Sequence, residues 1–294
     1  MSTLRELKSR IGSVASTQKT TSAMKMISSA KMRKATTQLQ RLSPYRDMVQ
    51  HVINHLLVTD QEFNSPLITE REVKSVALVV FGGDDGLCGA FNINIFKQLL
   101  ATIDDVRKQY GEGVKVTIVP VGKKLTKASL KIKSEDLDVE TCNVNTRSGS
   151  DDLHDFTDML KTRFLNKDFD CVELLYMHFK STSKQVFMRE QLLPVRYESL
   201  SEGVDAGAAN SMCLFEPDAA TIFNSVLPLH VRAMVQEVFT ESSASEQSAR
   251  VMAMQTASDN AGELLEALNL EYNKLRQQGI TTELLDILGG QVKR

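Results

Sequence analysis

Tryptophan is absent from the 294 residues, and proline (six), histidine (five) and cysteine (four) are scarce. Each scarcity excludes something. Cys88, Cys142, Cys171 and Cys213 lie far apart, without paired CxxC spacing or neighbouring histidines, which argues against a zinc site and against a disulfide framework. A reducing compartment fits such thiols best. The five histidines show no metal spacing except the i,i+4 pair His51 and His55. That pair lacks the intervening glutamate of a zincin motif, so structural histidines are the expectation. No apolar run reaches the roughly 20 residues a membrane span needs. The opening MSTLRELKSR has no apolar signal-peptide core and runs directly into a helical pattern, so no secretory or organelle leader is expected.

What is present is a soluble composition, 42% hydrophobic and 24% charged, with a net charge of -2. The balance hides an asymmetry. Residues 1–46 carry ten lysines and arginines against the single acid Glu6, about +9, leaving about -11 for the remainder. Three readings of this basic arm stay open on physics alone: a solvated helix face, a nucleic-acid contact, or docking on an acidic protein surface.

Three zones follow one another, and the expected boundaries are 1–58, 72–208 and 212–288. In the first, Leu4, Leu7, Ile11 and Val14 alternate steps of three and four, the seam of a coiled coil; it passes through Gln18 and Thr21 and resumes at Met24, Ile27 and Ala35. In the middle zone, VKSVALVVF is a continuous β-branched run, as expected of a strand buried on both faces of a parallel sheet. A glycine-rich turn, GGDDGLCG, leads into helix-like FNINIFKQLLATIDDVRKQYG. Then come VKVTIVPVG, DLHDFTDMLKTRFLNKD, CVELLYMHF and KQVFMREQLLPV, an alternation that predicts a Rossmann-like α/β insert, with SEGVDAGAANSM (201–212) as its exit loop. In the last zone, Met254, Ala257, Ala261, Leu264, Leu268, Tyr272 and Leu275 form a second seam. Pro228 should bend its approach, and Gly279 with Gly289 and Gly290 should weaken and end it.

A helix of about 55 residues is roughly 80 Å long, too long to lie wholly on a domain of this size. Each terminal helix has a narrow apolar stripe, and the other helix is the natural cover. The expected architecture is therefore α/β: a long antiparallel coiled coil of N- and C-terminal helices around an inserted domain, with the basic arm beside an acidic one.

Catalytic motifs are missing. The turn Gly82–Gly89 meets neither GxxxxGK[ST] nor GxGxxG, and Asp84 and Asp85 would repel phosphate, so a tight connection using glycine's freedom is sufficient. Cys88 has no histidine near it to activate it. Asp151, Asp152 and Asp155 look like the favoured acids of a helix start, and the methionines on the helix faces suit packing or a sliding surface. No catalytic group, cofactor site or metal site is expected.

Three stretches resemble one family. LKSRIGSVASTQKTTSAMKMISSAKMRKA is similar to the N-terminal signature of ATP synthase gamma subunits, GLCGAFNINIFKQLL to their central G-L-C-G-x-x-N segment, and SEQSARVMAMQTASDNAGELLEALNLEYNKLRQQGITTELLDILGG to their most diagnostic stretch. Asp85 departs from the arginine that many members carry before GLCG. The resemblance implies a non-catalytic rotor shaft coupling proton translocation to ATP synthesis or hydrolysis. Its partners would be three alpha and three beta subunits, the epsilon subunit and the membrane c-ring, and its place the cytoplasmic side of a bacterial inner membrane, reached only through those partners. It implies partner contacts by Met24, Lys25, Arg250, Arg276, Gln277, Thr281 and Glu283, with Arg276 and Gln277 on a loop of one catalytic subunit. The paired cysteines of the chloroplast redox insertion have no counterpart, so thiol control is not expected. A coiled-coil nucleic-acid binder and an α/β nucleotide-binding enzyme are the alternatives; Glu263, Glu266 and Glu271 speak against the first and the missing phosphate loop against the second.

Overall fold

The computed structural model describes residues 3–57, 63–134, 136–196 and 215–291; the expected exit loop 201–212 and Cys213 lie outside them. Two helices dominate: α1 (Leu4–Leu57) and α5 (Ala219–Gln291), 54 and 73 residues long, about 80 and 110 Å at the usual rise. Between them lie β1 (Ser75–Phe81), α2 (Phe91–Tyr110), β2 (Lys115–Val121), α3 (Lys123–Ser129), β3 (Leu137–Val139), α4 (Ser150–Leu165), β4 (Cys171–Ser181) and β5 (Lys184–Leu193). The long helices run antiparallel: Arg46 meets Glu237 at 2.7 Å, and a Cβ on Gly262 would touch Gln18. Both helices continue through a proline, Pro44 and Pro228. The carbonyl that each proline leaves without its donor belongs to an exposed residue, Gln40 or Asn224, where water can serve it.

Burial along α1 follows a strict seven-residue period. Leu7, Val14, Thr21, Ser28, Ala35, Leu42, Val49 and Leu56 face inward, as do Ile11, Gln18, Lys25, Met32, Leu39, Arg46 and Ile53. A sustained heptad imposes a left-handed supercoil. The seam thus differs from the sequence reading at Ile27, which is 58% exposed while Ser28 is buried. On α5 the stripe is Val251, Met254, Ser258, Ala261, Leu265, Leu268, Tyr272 and Leu275, so Leu264, 45% exposed, is replaced by Leu265. At Leu264 the inward residue is the next leucine, whereas at Ile27 a small polar residue, Ser28, takes the inward position. An apolar-only count slips by one residue there, because close approach of two helices rewards small size as much as apolarity.

The sheet order is β3-β2-β1-β4-β5, with β1 parallel to β2 and β4, and β4–β5 an antiparallel hairpin. Val76 through Val80 are wholly buried, as the apolar run predicts. Alternate residues of β1 serve two cores. Val76, Leu78 and Val80 pack with Ile95, Leu99 and Ile103 of α2, Val116 and Ile118 of β2 and Leu125 of α3. Ala77, Val79 and Phe81 pack with Phe156, Leu160 and Phe164 of α4 and with Ile53, Leu56, Phe223 and Leu227 of the long helices. One face of the sheet is therefore covered by the base of the shaft itself. Helix α3 and the short strand β3 have no signal in the sequence reading, being too brief for periodicity to register.

Neither Gly279 nor the pair Gly289–Gly290 ends α5, which continues to Gln291. Beyond about residue 276, where the antiparallel alignment brings it level with Leu4, α5 has no cover from α1. The overhang is about 20 Å long, and Ile280, Leu284, Leu285 and Ile287 on it are 50–63% exposed.

Candidate functional site

The residues that the sequence marks for partner contact fall into three places. Arg276, Gln277, Thr281 and Glu283 are all exposed on the overhanging end of α5; the Thr281 hydroxyl donates to the Gln277 carbonyl at 2.9 Å, so one turn carries both. These polar groups share the overhang with the exposed apolar residues, giving a tip with both charge and grease to offer a partner. Met24 and Lys25 lie elsewhere. The antiparallel alignment puts them level with about residue 256, some 30 Å down the shaft from Arg276. Both are half-buried, Lys25 on the seam itself. The two groups are therefore joined only through the length of the coiled coil, not by contact.

Arg250 is in a third place, inside the chain. It is 5% exposed and pairs at 2.5 Å with Glu246, which is 2% exposed. Its guanidinium also donates to the backbone carbonyls of Gly86 (3.2 Å) and Asp85 (3.4 Å). Burial pushes the Glu246 carboxyl up from its ordinary range, while the hydrogen bond and charge of Arg250 pull it back. The glycine-rich turn is thus strapped to the shaft by an arginine about 160 residues away in sequence, a link that no local pattern could reveal.

The turn is built for close approach. Gly122, at φ +106°, brings the chain so near that a Cβ there would sit 2.5 Å from the Gly82 carbonyl oxygen, and the Gly82 amide donates to Val121 at 2.9 Å. Gly83 donates to the Asn92 side chain at 2.9 Å. Asp84, 7% exposed, accepts from the Lys123 amide (3.0 Å), the Thr146 amide (3.1 Å) and the Thr146 hydroxyl (2.6 Å). Its carboxylate is spent on the protein's own donors, in accord with the reading of the turn as a connection and not a phosphate cradle. Asp85, the departure from the family pattern, pairs with Arg147 at 3.3 Å, both side chains being mostly exposed. Replacing Asp84 by Ala removes the acceptor of two backbone amides and of the Thr146 hydroxyl and is expected to destabilise the fold by about 2 kcal/mol; equilibrium urea unfolding measures it, and a shift under about 0.5 kcal/mol would contradict the assignment.

Further anchors fix α5 to the insert. The Ser242 hydroxyl donates to the Phe81 carbonyl (3.2 Å) and Ser248 to the Thr182 carbonyl (2.6 Å), and Gln185 donates to Ser248 (3.1 Å). His178 meets Glu241 at 2.9 Å and Arg232 meets Asp158 at 2.5 Å. Residues 244–248 are buried without interruption, so here the helix is enclosed on all sides. By contrast, the expected charge pairing between the arms is realised among the described residues at Arg46–Glu237, while Lys8, Arg10, Lys19, Lys31, Arg33, Lys34 and Arg41 stand exposed. Their charge is offered outward. Cys88 and Cys142 are free thiols whose titration burial pushes up, and burial takes Cys171 to about 12, the reverse of what a nucleophile needs. No described helix is long and apolar enough to cross a membrane.

A family model described as ATP synthase matches residues 3–292. The chain is 40% identical to the ATP synthase gamma chain of Phocaeicola vulgatus and 39% identical to that of Bacteroides fragilis, in each case over 99% of this chain and all of the relative. In fold it resembles a chain of the Euglena gracilis mitochondrial ATP synthase OSCP/F1/c-ring structure in rotational state 3, with TM-score 0.66 and 19% identity over 98% of this chain and 93% of that one. It also resembles a chain of the Tetrahymena thermophila mitochondrial ATP synthase central stalk and c-ring structure, with TM-score 0.59 and 24% identity over 81% and 99%.

Proposed function

The chain belongs to the ATP synthase gamma-chain family, and from that premise we propose how its shape does the family's work. It is the central rotor shaft of an F-type ATP synthase, a non-catalytic subunit that couples proton translocation to ATP synthesis or hydrolysis on the beta subunits. Its partners are the alpha and beta subunits around it, the epsilon subunit and the membrane c-ring. The chain is a peripheral subunit that reaches the membrane through those partners, and the side we assign is the cytoplasmic face of a bacterial inner membrane, in keeping with the bacterial relatives.

The observation that carries the mechanism is the unequal pairing of the two helices. Two strands plus a single-stranded overhang cannot present three equivalent faces, so each of three surrounding beta subunits meets a different surface. If those surfaces bind open and closed beta conformations with different affinity, the shaft angle sets each site's equilibrium and hence its nucleotide affinity. Turning the shaft then does chemical work without a single catalytic group of its own. We assign the angle-dependent contacts to the overhang: Arg276 and Gln277, with Thr281 and Glu283 one turn on. Lys25, about 30 Å below with Met24 beside it, belongs to the seam that carries torque between the overhang and the insert, and the Arg250 strap joins that seam to the insert's glycine turn.

In reconstituted enzyme, Arg276→Ala together with Gln277→Ala is expected to lower coupled ATP synthesis about tenfold, the cost of some 1.4 kcal/mol of lost differential contact, while leaving the folding stability of the isolated chain unchanged because both side chains are exposed. Unchanged coupled synthesis would overturn the assignment.

A further inference from the structure

We propose that His51 and His55 form a two-imidazole site for a divalent transition-metal ion, with Cu2+ and Ni2+ the best fits. The site lies in the last two turns of α1, apart from the tip and the turn used above. Residues four apart share one face of a helix, and here that face is turned away from the seam: His51 is exposed and His55 half-buried, while Ile53 and Leu56 between and beside them point into the core. The two Nε2 atoms stand 3.0 Å apart and the rings lie edge to face with centroids 4.4 Å apart. That centroid distance is shorter than it would be with the nitrogens aimed head-on, so the two rings do not face each other end to end.

The separation fixes what the pair can hold. With metal–nitrogen bonds of about 2.0–2.1 Å, nitrogens 3.0 Å apart subtend an angle of about 95° at a common ion. A tetrahedral site would need them about 3.3 Å apart. An angle near 90° is the cis angle of square-planar and octahedral coordination, the geometry of Cu2+ and Ni2+ with nitrogen and oxygen ligands. Without metal, one ring donates its Nε2 proton to the other. On binding, that donor ring takes its other tautomer, with the proton on Nδ1, and both Nε2 lone pairs face the ion. Among the described residues no cluster of three or more ligating side chains exists, so the described chain supplies two nitrogen ligands. Bridging two turns, the ion would pin the end of α1 where Ile53 and Leu56 enter the core.

The test titrates the purified full-length chain with CuCl2, NiCl2 and MnCl2 near neutral pH, read by calorimetry and, for copper, by electron paramagnetic resonance. The expected result is binding in the order Cu2+ over Ni2+ over Mn2+, with two nitrogen ligands in the copper spectrum. Affinity should fall at least about tenfold in either His51→Gln or His55→Gln, since even groups behind a ligand are worth that much. His154→Gln, which removes an exposed histidine on α4, should change nothing. Affinity should also weaken as pH is lowered, because protons compete for the same nitrogens. All three variants alter exposed or half-exposed positions, and their circular dichroism should match the parent's. Copper binding that is indifferent to His51→Gln and His55→Gln, or that shows a single nitrogen ligand, would overturn the proposal and leave the pair as a hydrogen bond only.

Discussion

Arg250→Leu is expected to destabilise the chain by about 3–5 kcal/mol, because it removes one partner of a buried ion pair and leaves the other without compensation. Glu246 is 2% exposed and its Oε2 atom already lacks a hydrogen-bond partner, so nothing nearby can replace the guanidinium. The Gly86 carbonyl loses its guanidinium donor as well, and the Asp85 carbonyl loses one of its donors. The double variant Arg250→Leu, Glu246→Leu should recover much of the loss, since a buried pair exchanged for apolar groups is often neutral, and this non-additivity is the signature of the pair. Thermal and urea unfolding of the four proteins measures the cycle. Additive single and double losses would mean that Arg250 acts through packing of its stem alone. In the assembled enzyme the double variant carries a second expectation: a stable chain in which the glycine turn is no longer strapped to α5, and hence softer transmission between shaft and insert.

Acid should weaken the base of the shaft through His230, by about 3 kcal/mol at pH 4 relative to neutral pH. This histidine is 6% exposed on α5, and its Nδ1 has no hydrogen-bond partner. Burial, reinforced by the positive charge of Arg46, lowers its pKa to about 4. The native state therefore holds the imidazole neutral, whereas the unfolded chain protonates it near 6.5. Its contribution is fully present above pH 6.5 and is lost progressively as pH falls from there toward 4, because the unfolded state then binds the proton that the folded state refuses. Carboxylates titrate in the same window, so the informative quantity is the difference between the parent and His230→Leu. The variant should show a flatter stability profile from pH 6.5 to 4. Parallel profiles would mean that the folded protein accommodates the charge.

The large features were legible because they are periodic. Heptads on both terminal helices, a strand run with no polar interruption and lengths too great for a small domain were enough to give an antiparallel coiled coil around an α/β insert. Where the reading slipped, the inward residue beside Ile27 is Ser28, a small polar residue that carries no apolar signal, and beside Leu264 it is Leu265, a neighbouring leucine that an apolar count cannot tell from it. The glycines near the end of α5 misled for a related reason: a glycine costs a helix about 1 kcal/mol, too little to end one that long. The site was legible only in part. Resemblance marked Arg276 to Glu283, and the structure adds that they occupy an uncovered overhang. It also shows Arg250 as an internal strap between α5 and the glycine turn, and it places Met24 and Lys25 far down the shaft from the tip. Those facts depend on residues far apart in sequence meeting in space, which no local pattern encodes.

The central claim is that this chain turns as one body, driven at its overhang and read out at its insert. The direct measurement attaches a probe to exposed Leu130 on the insert, replaced by cysteine after the native thiols are removed, in a complex with alpha and beta subunits fixed to a surface. Continuous, one-directional rotation of the probe during ATP hydrolysis is the predicted result. Hydrolysis at full rate with a stationary probe would contradict the account.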